Sequence, residues 1–127
     1  MNVHIIDDEE YFHDDARIKL KRIGFSENIY CYFGSEEFLK RTKDMDLSND
    51  LVVVDYELGI ENACDDRISE KIREQHACGA LVLFSLLPCF GRHDQEIRSQ
   101  YDEIVRKSKI DWDHLISLPV LKTQESF

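Results

Sequence analysis

Leu51-Val52-Val53-Val54-Asp55 is the stretch from which the fold can be read. Four consecutive apolar residues, three of them β-branched, suit a strand buried on both faces, which is the signature of a parallel sheet. Working outward, similar short bursts recur: Val3-His4-Ile5-Ile6 closed by Asp7 and Asp8, then Ile29 to Phe33, Leu81 to Phe84, and Ile104-Val105. Between the bursts the period changes to that of a helix. Phe12, Ala16, Leu20 and Ile23 share one helical face, and Cys64, Ile68 and Ile72 share another. Ser35 before Glu36 and Glu37 reads as a helix N-cap with acids in the first turn. Gly24, Gly34, Gly79 and the Pro88 to Gly91 segment mark joins, and Pro119 predicts a short or broken last helix. Strand and helix alternating five times predicts a doubly wound α/β sheet.

The whole chain bounds this reading. Its 127 residues, 43% of them apolar, fit one domain with a core from about residue 3 to 118. Sixteen Lys and Arg against 26 Asp and Glu give a net charge of −10, which argues against a basic nucleic-acid-binding face and favours cations. Ala80 to Leu87 is the longest nearly continuous apolar run, far short of the roughly 18 residues of a membrane span. Val3 to Ile6 is too short for the core of a signal peptide. Cys31, Cys64, Cys78 and Cys89 form no Cys-x-x-Cys pair, so reduced thiols in a cytoplasmic domain are expected.

In a parallel sheet every strand's carboxyl end meets one edge, and ligands bind there. Asp7, Asp8 and Glu9 follow the first predicted strand; Asp55, Tyr56 and Glu57 follow the third; Ser85 closes the fourth; Arg106, Lys107 and Ser108 follow the fifth. Taken singly, each is a common turn or cap residue. Together they put three aspartates, one hydroxyl and one lysine on one rim. Clustered carboxylates repel, and a hard divalent ion such as Mg²⁺, bound by oxygens, relieves that repulsion. A carboxylate can attack phosphorus without a general base, Lys107 can offset charge on a phosphoryl oxygen, and Ser85 can donate a hydrogen bond to another.

Over nearly its whole length the chain resembles the receiver domain of two-component response regulators. The resemblance rests on Val3-His4-Ile5-Ile6-Asp7-Asp8-Glu9, Leu51 to Asp55, Leu81 to Ser85, and Ile104-Val105-Arg106-Lys107. Intervals of 30 residues from Asp55 to Ser85 and 22 from Ser85 to Lys107 add to it. It implies a flavodoxin-like five-stranded parallel sheet, order 2-1-3-4-5, with helices on both faces. Asp55 would be the phosphoacceptor, taking its phosphoryl group from a histidine kinase or phosphotransfer protein. Asp8, Asp55 and the main-chain carbonyl of Glu57 would ligate Mg²⁺, with Asp7 acting mostly through water. Ser85 and Lys107 would respond to the phosphoryl group and signal to a protein target through the fourth helix, fifth strand and fifth helix. The expectation is thus a signalling switch with no output domain on this chain, not an enzyme acting on other substrates. A phosphate-independent adaptor, or a small Mg²⁺-dependent phosphatase, stands as the alternative.

The chain departs from the family pattern at four places. Ser108 stands where the family has proline after a cis bond. Leu86 replaces a small residue beside the switch hydroxyl, Ala63 replaces a turn glycine, and Ile104 replaces the switch aromatic. Leu86 and Ile104 together predict a blunted switch. His4 and Trp112 read as packing residues. His76 and His114 read as solvent-facing helix residues, and His13, close to the rim, has no assigned role.

Overall fold

The computed structural model describes residues 1–55, 67–85 and 100–125. Five parallel strands form one open sheet in the order β2-β1-β3-β4-β5: β1 Val3–Ile6, β2 Ile29–Tyr32, β3 Leu51–Asp55, β4 Ala80–Ser85 and β5 Glu103–Arg106. Four helices occur among the described residues: α1 Glu10–Arg22, α2 Ser35–Arg41, α3 Arg67–Gln75 and α4 Trp112–Glu125. All five expected strands are present, with no end shifted by more than one residue. None of the helices is long and apolar enough to cross a membrane.

Successive side chains of a strand point to opposite sides, so a doubly buried strand feeds two clusters. Val3, Ile5, Leu51, Val53, Ala80, Val82 and Phe84 join one, with Phe12, Ala16 and Leu20 of α1 and Trp112 and Leu115 of α4. Ile6, Tyr32, Val52, Val54, Leu81 and Leu83 join the other, with Phe38 of α2, Ile68 and Ile72 of α3, and Tyr101. The helical faces expected from Phe12, Ala16 and Leu20, and from Ile68 and Ile72, are therefore buried; Cys64 lies outside the described residues. Trp112 is a core residue, as expected, although Asp111 and Asp113 flank it; its ring lies 5.7 Å from that of Phe84 between centroids.

Two glycines carry specific burdens. Gly24 has φ 90°, in the left-handed region, and ends α1 in a Schellman motif: its N–H donates to the Lys21 carbonyl and that of Phe25 to Leu20. Gly79, just before β4, has backbone atoms of Asn49 and Asp50 within 2.8 Å of where a Cβ would stand. No side chain fits there.

Three local expectations are corrected. The N-cap of α2 is Gly34 and not Ser35, which is the first helical residue; Glu37 turns back to accept the Phe33 N–H at 2.7 Å. Pro119 does not break the last helix: α4 runs through it for 14 residues. Proline removes the bond its N–H would make to the carbonyl four residues back and crowds that carbonyl with its ring, but burial of Trp112 and Leu115 in the two preceding turns holds the helix to the sheet. His76 does not face solvent. It follows α3, is buried, and places Nε2 2.8 Å from Thr42 Oγ1. His114 is exposed on α4, as expected, and pairs with Glu103.

Candidate functional site

The register of the sheet sets the site. Ile6 on β1 pairs with Val54 on β3, so the next residues, Asp7 and Asp55, leave adjacent strands side by side at the carboxyl edge. The Asp7 N–H still donates to the Tyr32 carbonyl at 3.0 Å, extending the β1–β2 ladder by one residue and fixing the direction of its side chain. Asp7 Oδ1 accepts the Glu9 N–H at 2.8 Å, an Asx-type turn that leads into α1. Oδ2 is buried and faces the Lys107 ammonium.

Carboxylate oxygens of Asp7, Asp8 and Asp55 lie within 4.8 Å of one another. Asp7 and Asp55 are buried, whereas Asp8 is exposed. Lys107, in the turn after β5, reaches across with Nζ 2.6 Å from Asp7 Oδ2 and 3.5 Å from Asp55 Oδ2. Nζ also stands 4.4 Å from the Phe12 ring centroid, so an aromatic face and two carboxylates fix the ammonium. Burial works against the charged form of Lys107, but Asp7 and Asp55 outweigh it and hold its pKa above the ordinary lysine value. Three carboxylates and one ammonium leave these four groups with a formal excess of two negative charges.

Of the residues expected at the rim, Asp7, Asp8, Asp55 and Lys107 therefore converge. Ser85 closes β4 beside Arg106 in the ladder, at the same edge; its side chain lies outside the described part, as do Glu57, Ala63 and Leu86. No cis peptide bond occurs among the described residues, so Lys107–Ser108 is trans. Ile104 packs at the margin of the cluster that contains buried Tyr101.

No family model matches the chain, and no curated protein matches it. Its site is thus defined by geometry and residue chemistry alone.

Two histidines do more than the sequence revealed. His13 is buried on α1, and its Nε2–H donates to the Asp7 carbonyl at 2.7 Å, tying helix to rim. His4, in mid-strand, is packed as expected, but within a polar network. Its Nε2 lies 2.9 Å from Asp50 Oδ2 and its Nδ1 2.9 Å from the Tyr32 hydroxyl. A carboxylate only accepts, so Nε2 carries the proton and Nδ1 of the neutral ring accepts from Tyr32. Burial holds the His4 pKa below its ordinary value against the pull of Asp50, and pushes Tyr32 up to about 12. A histidine among β-formers followed much later by an aspartate is the only linear trace of that network; nothing local pairs them.

Proposed function

We propose that this chain is a receiver-type phosphorylation switch of flavodoxin-like topology, with helices covering both faces of its sheet. One observation carries the reading: Asp7, Asp8 and Asp55 gather at the carboxyl edge of a parallel sheet, with the Lys107 ammonium among them. Asp55 is the phosphoacceptor. Its carboxylate oxygen attacks phosphorus, the bond from phosphorus to the donor histidine nitrogen breaks, and an aspartyl phosphate forms. Lys107 is close enough to exchange a carboxylate oxygen for a phosphoryl oxygen as its partner, which is how the added charge would be felt at β5. Ser85, at the end of β4, would donate to another phosphoryl oxygen.

The donor set fits a hard divalent cation. The acids are all oxygen ligands, their oxygens lie within 4.8 Å of one another, and the local charge stays negative after Lys107 is counted. Asp8 and Asp55, with Asp7 behind them and the Glu57 carbonyl, would hold Mg²⁺, whose charge when bound supports phosphoryl oxygens. The proposed donor is a histidine kinase or phosphotransfer protein in the cytoplasm, and the output is contact with another protein. A phosphate-independent adaptor is the second reading, favoured by Lys107 lying nearer Asp7 than Asp55.

Intact mass after incubation with acetyl phosphate and Mg²⁺ tests the assignment. The expected result is a single phosphoryl addition that is absent in Asp55→Asn, with borohydride trapping placing the label on Asp55. No addition favours the adaptor; labelling of another carboxylate overturns the choice of acceptor.

A further inference from the structure

Cys31 lies half-buried on β2, an edge strand of the sheet. It has the parity of Ile29, which packs with the α1 side of the core, so its thiol is turned toward α1. There it meets His13 and Arg17, one helical turn apart, and both interact with it. The His13 ring is locked. Nε2–H is committed to the Asp7 carbonyl at 2.7 Å, and the Phe33 ring stands edge-on at 5.2 Å. That leaves Nδ1, in a side chain only 3% exposed, with no hydrogen-bond partner beside the thiol.

We propose that Cys31 is an activated thiol, a modification site for peroxides and small soft electrophiles, oriented by His13 and flanked by the Arg17 guanidinium. A structural cysteine packs among apolar atoms and is inert; a reactive one sits half-exposed beside cationic or imidazole groups, because the thiolate is the nucleophile. Burial opposes the thiolate here, yet His13 and Arg17 outweigh it and hold the thiol below its ordinary range. With hydrogen peroxide the sulfur attacks one oxygen, an S–O bond forms as the O–O bond breaks, and the thiol proton leaves with the departing oxygen as water. The product is a sulfenic acid, with the peroxide as the oxidant.

Cys78 is an internal comparator of similar exposure, packed against the apolar cluster of α3 and β4. Limited iodoacetamide labelling of the folded protein at pH 7, read by peptide mass mapping, should modify Cys31 about tenfold faster than Cys78. Dilute peroxide with dimedone should place the sulfenic adduct on Cys31. Arg17 is exposed, so Arg17→Gln leaves the fold intact and should slow Cys31 alone; His13→Asn should slow it further. In urea the rates of the two thiols should converge. Equal rates in the folded protein would overturn the proposal. So would a Cys31 preference unchanged in both variants, which would make accessibility its only cause.

Discussion

Asp8 is the exposed member of the carboxylate group and so the one whose loss least disturbs the packed rim. If the three acids hold Mg²⁺, binding to the folded state alone adds stability by mass action, about 1.4 kcal/mol at ten times the dissociation constant. For a domain of this size that is roughly 4 °C in melting temperature. Asp8→Asn should abolish most of the Mg²⁺-induced rise, measured against KCl of equal ionic strength so that screening of the net charge of −10 is not mistaken for binding. A wild-type curve that millimolar Mg²⁺ leaves unmoved would remove the metal from the proposal. His4 makes a second residue-scale prediction. Its pKa lies below 6.5 in the folded protein, so the unfolded chain takes up the proton first as pH falls. Its stabilising contribution is therefore complete above about pH 6.5 and is lost as pH drops through the lower, folded value. The stability difference between wild type and His4→Phe, from urea unfolding, should be largest at pH 7.5 and smaller at pH 5.5. A difference independent of pH would mean that the ring is not held neutral by the fold.

At the scale of elements, the two special glycines separate two kinds of constraint. Gly24 terminates α1 at φ 90° with nothing within 4 Å of an added Cβ, so Gly24→Ala tests backbone conformation alone and should cost about 1–2 kcal/mol. Gly79→Ala drives a Cβ to 2.8 Å from three backbone atoms of Asn49 and Asp50, the segment that leads into β3. Neither segment can yield without shifting a central strand, so the cost should exceed that of Gly24→Ala and reach about 3 kcal/mol. Thermal melts of the two variants order these effects; a milder Gly79→Ala would show that the β3–β4 entry is pliable. The buried half-turn at Thr42 and His76 ties α2 to the end of α3 by a similar logic of close contact, through the 2.8 Å pair between Oγ1 and Nε2.

For the whole molecule, the question is how far a change at the rim travels. Tyr101 is already buried, and Ile104 packs against the same cluster, so, if the chain is the switch proposed above, no exposed ring is left among these residues to move inward when it is phosphorylated. A ligand shifts a conformational equilibrium only by its differential affinity for the two states. Beryllofluoride with Mg²⁺ should therefore perturb amides of Asp7, Asp8 and Asp55 strongly and those of residues 100–109 weakly, Lys107 excepted. Large shifts throughout 100–109 would show that Tyr101 does change its packing and that the switch is not blunted.

The strands were legible from Leu51 to Asp55 outward, because a parallel strand buried on both faces is continuously apolar; the partly buried β5, which begins at Glu103 and ends at Arg106, was legible only through Ile104-Val105 at its centre. That reading placed Asp7, Asp8, Asp55 and Lys107 at one edge, since parallel strands share their carboxyl ends. Helical periodicity likewise set the buried faces of α1 and α3. Tertiary structure decided what periodicity does not encode. Pro119 survives in α4 because packing of the two preceding turns outweighs the missing hydrogen bond and the crowded carbonyl, and His76 is buried because Thr42, remote in sequence, waits for it. His4 finds Asp50 and Tyr32, and Lys107 rests nearer Asp7 than Asp55, for the same reason. Partners of buried polar groups are chosen by distances across the fold, and a linear sequence carries those distances only after the chain has closed.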